Sequence, residues 1–319
     1  MMIFRSPAEV PAGFGPSIVA IGKFDGMHAG HRAVIDRARV DAAASGARVV
    51  AVTFDRNPLA LLRPDICPPT LVGVNQKLQL IERTGVDATL MLTFDRALAD
   101  LTPRDFVEQV LVDALGARVV LVGGDFRFGR GGAGTVEVLC ELGREFGFEM
   151  QVVDDVRAVE SDRRVSSTWV RELLAEGEVA TAAKLLGRPH AVWGEVVHGL
   201  KRGREMGFPT ANLAPDLEGF VPADGVYAGW LVDETSADGL RPGVRHPAAI
   251  SVGTNPTFDD VPVRQVEAHV LDETDLDLYG HRVEVQFTDR VRGMVAFEGI
   301  DALIDQMTDD VERVRRTLT

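Results

Sequence analysis

The chain of 319 residues is poor in cysteine, holding only Cys67 and Cys140. Neither has metal-like spacing to a partner, so both read as free thiols in a reducing compartment. Long apolar runs are lacking as well. No segment approaches the roughly 18 uninterrupted apolar residues of a membrane-spanning helix. The N-terminus has no basic stretch leading into an apolar core, so no secretory signal is expected. Positive charge is short: 34 Lys and Arg stand against 48 Asp and Glu, for a net −14. That balance excludes a general nucleic-acid or anionic-membrane binder. It leaves small phosphorylated ligands, whose sites need only local positive potential and metal. No internal repeat and no low-complexity segment is evident, and no GxxxxGK[ST] phosphate loop occurs. A soluble cytoplasmic protein is the expectation.

Hydrophobic residues make up 45% and charged residues 26%, ordinary for a globular chain, and the length favours two domains. The densest chemistry in the first half is Val19 to His31, VAIGKFDGMHAGH. An apolar run from Ile18 to Ile21 reads as a buried parallel strand, broken at Gly22 and Gly26. Arg32-Ala-Val-Ile-Asp-Arg-Ala-Arg then resumes at helical spacing. Strand, glycine turn and helix start together make an anion site, because free N–H groups of the first helical turn point at its occupant. His28 and His31, three apart, fall on one face and can meet the same phosphate chain. A zinc pair is the alternative, but the neighbourhood lacks a third and fourth ligand.

Alternation continues. Strands are expected at Ala47–Phe54, Ala88–Phe94, Arg118–Val122 and around Glu149–Val153. Helices are expected at Leu71–Thr84 and Val136–Glu145, with another over Thr102–Leu115 that has Pro103 in its first turn. This predicts an α/β doubly wound sheet with ligands at the carboxyl ends of strands. His28/His31, Asp55-Arg-Asn-Pro58 and Gly123-Gly-Asp-Phe-Arg-Phe-Gly129 all fall at such ends. Ser166-Ser-Thr-Trp-Val-Arg171 opens a further helix, where hydroxyls, amides and a guanidinium suit a triphosphate. Helical segments at Trp169–Glu176 and Glu178–Leu186 end at Gly187-Arg-Pro189. Beyond them come short alternating stretches: Ala191–His198, Gly225–Asp233, Pro247–Val252, Val263–Asp272 and His281–Thr288. Gly, Pro and Asp turns between them predict an antiparallel β-barrel, with a terminal helix from about Gly299 to Leu318. The boundary is expected near residue 187, giving domains 1–186 and 187–319.

The histidine stretch resembles the signature of the nucleotidylyltransferase superfamily, and more narrowly of bifunctional bacterial riboflavin kinase/FMN adenylyltransferases. Phe208-Pro-Thr-Ala-Asn212 resembles the PTAN motif of riboflavin kinases. Gly225-Val-Tyr-Ala228, Ser251 to Phe258 and Val266-Glu-Ala-His-Val-Leu-Asp272 match the same module. The resemblance runs from about Ile18 to the final helix. It implies a Rossmann-like N-terminal domain that adenylylates FMN to FAD with ATP, releasing pyrophosphate. It also implies a C-terminal barrel that phosphorylates riboflavin to FMN, both reactions using ATP with Mg²⁺.

Residue by residue, the resemblance implies ATP contacts from Gly22, Phe24, Asp25, Gly26, His28 and His31. Ser166, Ser167, Thr168 and Arg171 would face the histidines across the triphosphate. Asn57, Asp125, Phe126, Arg127, Phe128 and, in the second domain, Arg292 would border flavin. Gly199, Gly203, Arg204 and Gly207 would cradle the kinase phosphates, Thr210 and Asn212 would hold Mg²⁺, and Glu267 would be the general base for the ribityl hydroxyl. His269, two residues on, lies on the same strand face. Two departures stand out. Asn57 occupies a place where the family more often has histidine, keeping a hydrogen-bonding group without charge, and Lys23 replaces a frequent asparagine. Two rivals remain at this stage. One is adenylylation of another phosphate ester, such as phosphopantetheine or nicotinamide mononucleotide. The other is a flavin-binding storage protein without turnover.

Overall fold

A computed structural model describes residues 1–199, 206–234, 243–254, 264–273 and 277–319. The chain forms two compact units, Met1–Ser166 and Ser167–Thr319.

The first unit is a six-stranded parallel sheet of order β1-β4-β3-β2-β5-β6. Its strands are β1 (Met2–Phe4), β2 (Ser17–Ile21), β3 (Arg48–Phe54), β4 (Ala88–Leu92), β5 (Ala117–Gly123) and β6 (Glu149–Val153). β2 lies inside the sheet and is buried along its whole length. Its period-two alternation feeds two cores. Val19 and Ile21 face one with Phe106, Leu111 and Leu139, while Ile18 and Ala20 face the other with Ile35, Ala38 and Ile81. Helices therefore cover both faces, as the alternating pattern requires. From β2 the chain winds one way to β3 and β4, then crosses to β5 and β6. That reversal is the switch point at which ligands of such sheets bind.

Two details differ from the sequence reading. The helix expected over Leu71–Thr84 is α3 (Val74–Glu82), starting only after Gly73, whose N–H donates to Gln76 Oε1 at 2.8 Å. The helix expected over Thr102–Leu115 begins as α5 (Pro103–Phe106), capped reciprocally by Thr102 and Asp105, and widens into a π-helical stretch over Val107–Ala114. Short elements without a clear period went unread: β1, α2 (Pro58–Leu62) and α4 (Arg96–Asp100). The remaining helices of this unit are α1 (Ala29–Ser45) and α6 (Val136–Phe146).

The second unit opens with α7 (Ser167–Glu176) and α8 (Val179–Leu186). They precede a closed barrel of order β10-β11-β8-β7-β12-β9. Its strands are β7 (His190–Val197), β8 (Ala211–Leu213), β9 (Gly225–Asp233), β10 (Val244–Gly253), β11 (Gln265–Val270) and β12 (Arg282–Arg292). Arg290 of β12 donates to the Glu176 carbonyl at 3.0 Å and to the Asp224 carbonyl at 2.7 Å, and Ala223 N–H reaches the Leu174 carbonyl at 2.8 Å. These bonds hold α7 to the barrel, which is why the compact unit takes in the helices ahead of its first strand. α9 (Ile300–Leu318) packs Val314 against Val226, Ala228 and Val291 of the wall. The three-residue β8 takes in Ala211 and Asn212 of the PTAN segment and Leu213 after it, and it closes the barrel between β7 and β11.

Candidate active sites

In the first unit the turn between β2 and α1 is wound tightly. Phe24, Gly26 and Met27 all have positive φ, at 49°, 86° and 46°. Left-handed non-glycine residues cost on the order of 1–3 kcal/mol each and persist where the surroundings fix them. Here the fixing is visible. The Phe24 ring is fully buried, and a Cβ on Gly22 would sit 2.8 Å from it. Asp25 Oδ1 accepts from Leu71 N–H at 2.9 Å, and the Lys23 carbonyl accepts from Thr53 Oγ1 at 3.1 Å. Gly22 thus makes room for an aromatic ring, a role that sequence spacing did not reveal.

His28 occupies the N-cap of α1, and its carbonyl accepts the Arg32 N–H at 3.1 Å. The His28 and His31 rings stack with centroids 3.7 Å apart, and Phe24 meets His31 edge-on at 5.5 Å. Gly30 makes the stack possible, since a Cβ there would lie 3.2 Å from His28 Cε1 and Nδ1. The His31 Nδ1 atom is buried and accepts or donates no hydrogen bond among the described residues. Burial, then the charges of His28, Lys77, Arg32 and Lys23, hold the His31 imidazole well below its ordinary pKa. The charges that act on His31 are all cationic, and a polyphosphate supplies the complementary sign.

Around this turn stand the other strand ends. Asp55, just after β3, accepts Phe94 N–H at 2.9 Å and pairs with Arg56 at 3.2 Å. Burial opposes its ionisation, but these bonds hold its pKa below the usual value. Asn57 caps α2, its Oδ1 taking Leu59 N–H at 3.1 Å, which leaves its amide NH₂ as the donor end of the side chain. Beyond β5, Asp125 and Arg127 are exposed, and Asp125 pairs with Arg164 at 3.0 Å. Phe126 stacks on Phe128 at 5.4 Å. Phe128 in turn is buried against Phe106 at 5.7 Å and exchanges two main-chain bonds with Gly134. Ser166 ends the first unit, while Ser167, Thr168 and Arg171 lie on α7 in the second. Ser167 and Arg171, one helical turn apart, share a face.

In the second unit the barrel register sets Glu267 directly across from Asn212. Thr210 Oγ1 approaches Glu267 Oε2 at 3.4 Å, and Asn212 Nδ2 donates to both the Thr210 carbonyl and Oγ1 at 3.2 Å. Burial raises the Glu267 pKa, opposed by the Thr210 hydroxyl. Gly199 lies against Asn212: a Cβ on it would fall 2.5 Å from the carboxamide carbon. His269 accepts no part in this triad. Its ring lies 2.8 Å from the Pro209 carbonyl and edge-on to Phe208 at 5.4 Å, which fixes the start of the motif. Arg292 is bound to Asp310 of α9, with Nη2 2.7 Å from Oδ2, and lies over Phe297 at 5.6 Å. Gly207 adopts φ 87°. Gly203 and Arg204 lie outside the described residues. Sequence reasoning missed Lys77, Asp310 and the spacer role of Gly199, because each acts on a residue remote in the chain.

Thr210 and Asn212 suit a hard cation. Their side chains offer neutral oxygens beside a carboxylate, and the described residues hold no cluster of three or more His, Cys, Asp or Glu that would serve a softer or fully protein-caged ion.

Comparison with known proteins agrees with both halves. A family described as FAD synthetase matches residues 12–169, and one described as riboflavin kinase matches 186–318. The bifunctional riboflavin kinase/FMN adenylyltransferase of Escherichia coli K12 is 36% identical over 293 residues, covering 92% of this chain and 90% of that one. Its Bacillus subtilis counterpart is 31% identical over 303 residues, covering 94% and 92%. A crystal structure from Streptococcus pneumoniae, named a macrolide-efflux protein, superposes with TM-score 0.83 at 30% identity over 98% of both chains. Among the described residues no helix is long and apolar enough to cross a membrane.

Proposed function

This chain belongs to the family of bifunctional riboflavin kinases/FMN adenylyltransferases, and we propose how its residues divide the two reactions. The FMN adenylyltransferase activity resides in the N-terminal half and the riboflavin kinase activity in the C-terminal half. We assign residues 1–186 to the first reaction and 187–319 to the second.

In that transfer the phosphate of FMN is already a nucleophile, so the protein's task is alignment and stabilisation of charge on the α-phosphorus and the departing pyrophosphate. His28 and His31 donate to the triphosphate, with Gly22, Phe24, Asp25 and Gly26 shaping the turn that carries them. Ser166, Ser167, Thr168 and Arg171 are assigned to the same triphosphate by the motif they form. The isoalloxazine lies by Asn57, Asp125, Arg127 and Phe126, with Phe128 as the buttress behind Phe126. The observation that carries this reading is the stacked histidine pair in a buried, cation-rich turn.

For riboflavin phosphorylation, Glu267 accepts the proton of the ribityl 5′-hydroxyl as its oxygen attacks the γ-phosphorus. Its raised pKa suits a base that must take up a proton. Thr210 and Asn212 would hold Mg²⁺ through Oγ1 and Oδ1. When bound, the ion neutralises charge on the phosphate oxygens. Gly199 keeps Asn212 in place, and Gly203, Arg204 and Gly207 approach the phosphates. Arg292 borders the flavin in the orientation that Asp310 fixes.

Purified protein incubated with riboflavin, ATP and Mg²⁺, with products separated by chromatography, tests the division. The H28A/H31A variant accumulates FMN without FAD. E267Q makes no FMN from riboflavin but converts supplied FMN to FAD. Loss of FMN as well as FAD in folded H28A/H31A, or failure of folded E267Q to convert supplied FMN to FAD, refutes it.

A further inference from the structure

Lys77 of α3 is a buried lysine, 7% exposed, that no sequence motif singles out. Its Nζ donates to the Phe54 carbonyl, the last of β3, at 2.8 Å. An ammonium has three donors, and burying one is costly unless charge or hydrogen bonds compensate. Among the described residues no carboxylate lies within ion-pair distance of it. Asp25 and Asp55 nevertheless favour its charged form from further off, against the larger effect of burial, which lowers its pKa. A neutral amide could satisfy one carbonyl at far less cost. The retained charge therefore has another use.

Position supplies that use. Phe54 is followed by Asp55, whose carboxylate takes the Phe94 N–H at the end of β4. Asp25, in the histidine turn, takes the Leu71 N–H shortly before α3 begins. Lys77 ties α3 to the last residue of β3, and both Asp25 and Asp55 act on its charge. It also acts on His31, which is faced by His28 and Lys23 of its turn, the Phe24 ring, Arg32 of α1 and Lys77 of α3.

We propose that Lys77 is a positioning residue of the adenylyl-transfer site, clamping α3 to the carboxyl end of β3 beside the histidine turn and supplying positive charge near His31. This rests on the assignment of His31 to that site. The clamp fixes the floor on which the phosphates lie, and the field disfavours a charged His31 until a polyphosphate arrives.

The test uses full-length protein with isotope-labelled histidine, following the His31 ring by NMR across pH. In K77M the His31 titration moves to higher pH, whereas K77R leaves it near the wild-type position. FAD formation from FMN falls by up to about 100-fold in K77M, the scale of a small misplacement in a reacting site. Riboflavin phosphorylation is unchanged. K77Q, which keeps a donor and loses the charge, gives the same comparison should K77M fail to fold. A His31 titration unmoved in the charge-removing variant overturns the inference whatever happens to FAD formation. H31A that forms FAD at the wild-type rate is a different result, and overturns the assignment on which the inference rests.

Discussion

Replacing Gly199 by alanine tests the kinase site through a single methyl group. The new Cβ would lie 2.5, 2.6 and 2.6 Å from Cγ, Nδ2 and Oδ1 of Asn212, where ordinary contact begins at 3.4 Å. All three atoms belong to the end of one side chain, so the carboxamide swings by about 1 Å while the backbone stays in place. Both bonds from Nδ2 to Thr210 are lost. Each is worth about 1 kcal/mol net. Gly199 is not among the residues of positive φ, so alanine also gains about 0.4–1 kcal/mol by restricting the unfolded chain. Folding stability thus drops by only about 1 kcal/mol, while a 1 Å displacement of a ligand-positioning group costs about 100-fold in rate. That factor equals about 2.7 kcal/mol of transition-state stabilisation. Initial rates of FMN formation over a range of Mg²⁺ concentrations read the effect, with FMN-to-FAD conversion by the same sample as internal control. Full kinase activity in G199A at every Mg²⁺ concentration would refute the role given to Asn212.

Burial raises the Glu267 pKa, so riboflavin phosphorylation falls off on the acid side at a pH above the ordinary glutamate range, and a pH–rate profile locates that limb. The same shift means that ionised Glu267 weakens the fold as pH rises through its folded-state pKa. E267Q should therefore melt higher than wild type at neutral pH while losing kinase turnover. His190, buried with its Nε2 donating to the Phe220 carbonyl at 2.6 Å, has its pKa pushed down to about 4 by burial. Below pH 6.5 the unfolded chain takes up a proton that the folded one refuses, so this contribution is complete above that pH and disappears as pH falls to about 4. The loss is about 3 kcal/mol. Denaturant unfolding of H190Q, which does not titrate, should show a correspondingly shallower pH slope. R292M leaves Asp310, with a side chain 5% exposed, without its cation. The loss is about 3–5 kcal/mol. R292M/D310L should recover that stability without recovering affinity for riboflavin, and recovered affinity would remove Arg292 from the flavin site.

The amino-acid sequence by itself determined the two-part architecture. Val-rich runs at β3 and β5 read as strands of a covered parallel sheet, and the shift to short alternating segments after Pro189 reads as an antiparallel wall. It also determined where chemistry gathers, because glycine turns at strand ends leave amides free for anions. The chemical identity of the two reactions came from the resemblance of two short motifs to a known family, one holding His28 and His31 and the other Thr210 and Asn212. Tertiary structure decided what those motifs are made of. That Phe-Pro-Thr-Ala-Asn runs into the strand closing a barrel depends on pairing with β7 and β11, and β11 is far away in sequence. Glu267 read locally is one acidic residue in a strand. Register alone brings it beside Thr210 and burial raises its pKa. Gly22, Gly30 and Gly199 are in the same position, since each is required by a ring or carboxamide that only the folded chain presses against it. Hydrophobic period and turn chemistry are local properties and can be read along a line. Burial, charge proximity and steric clearance are properties of volume, and exist only once the chain has closed on itself.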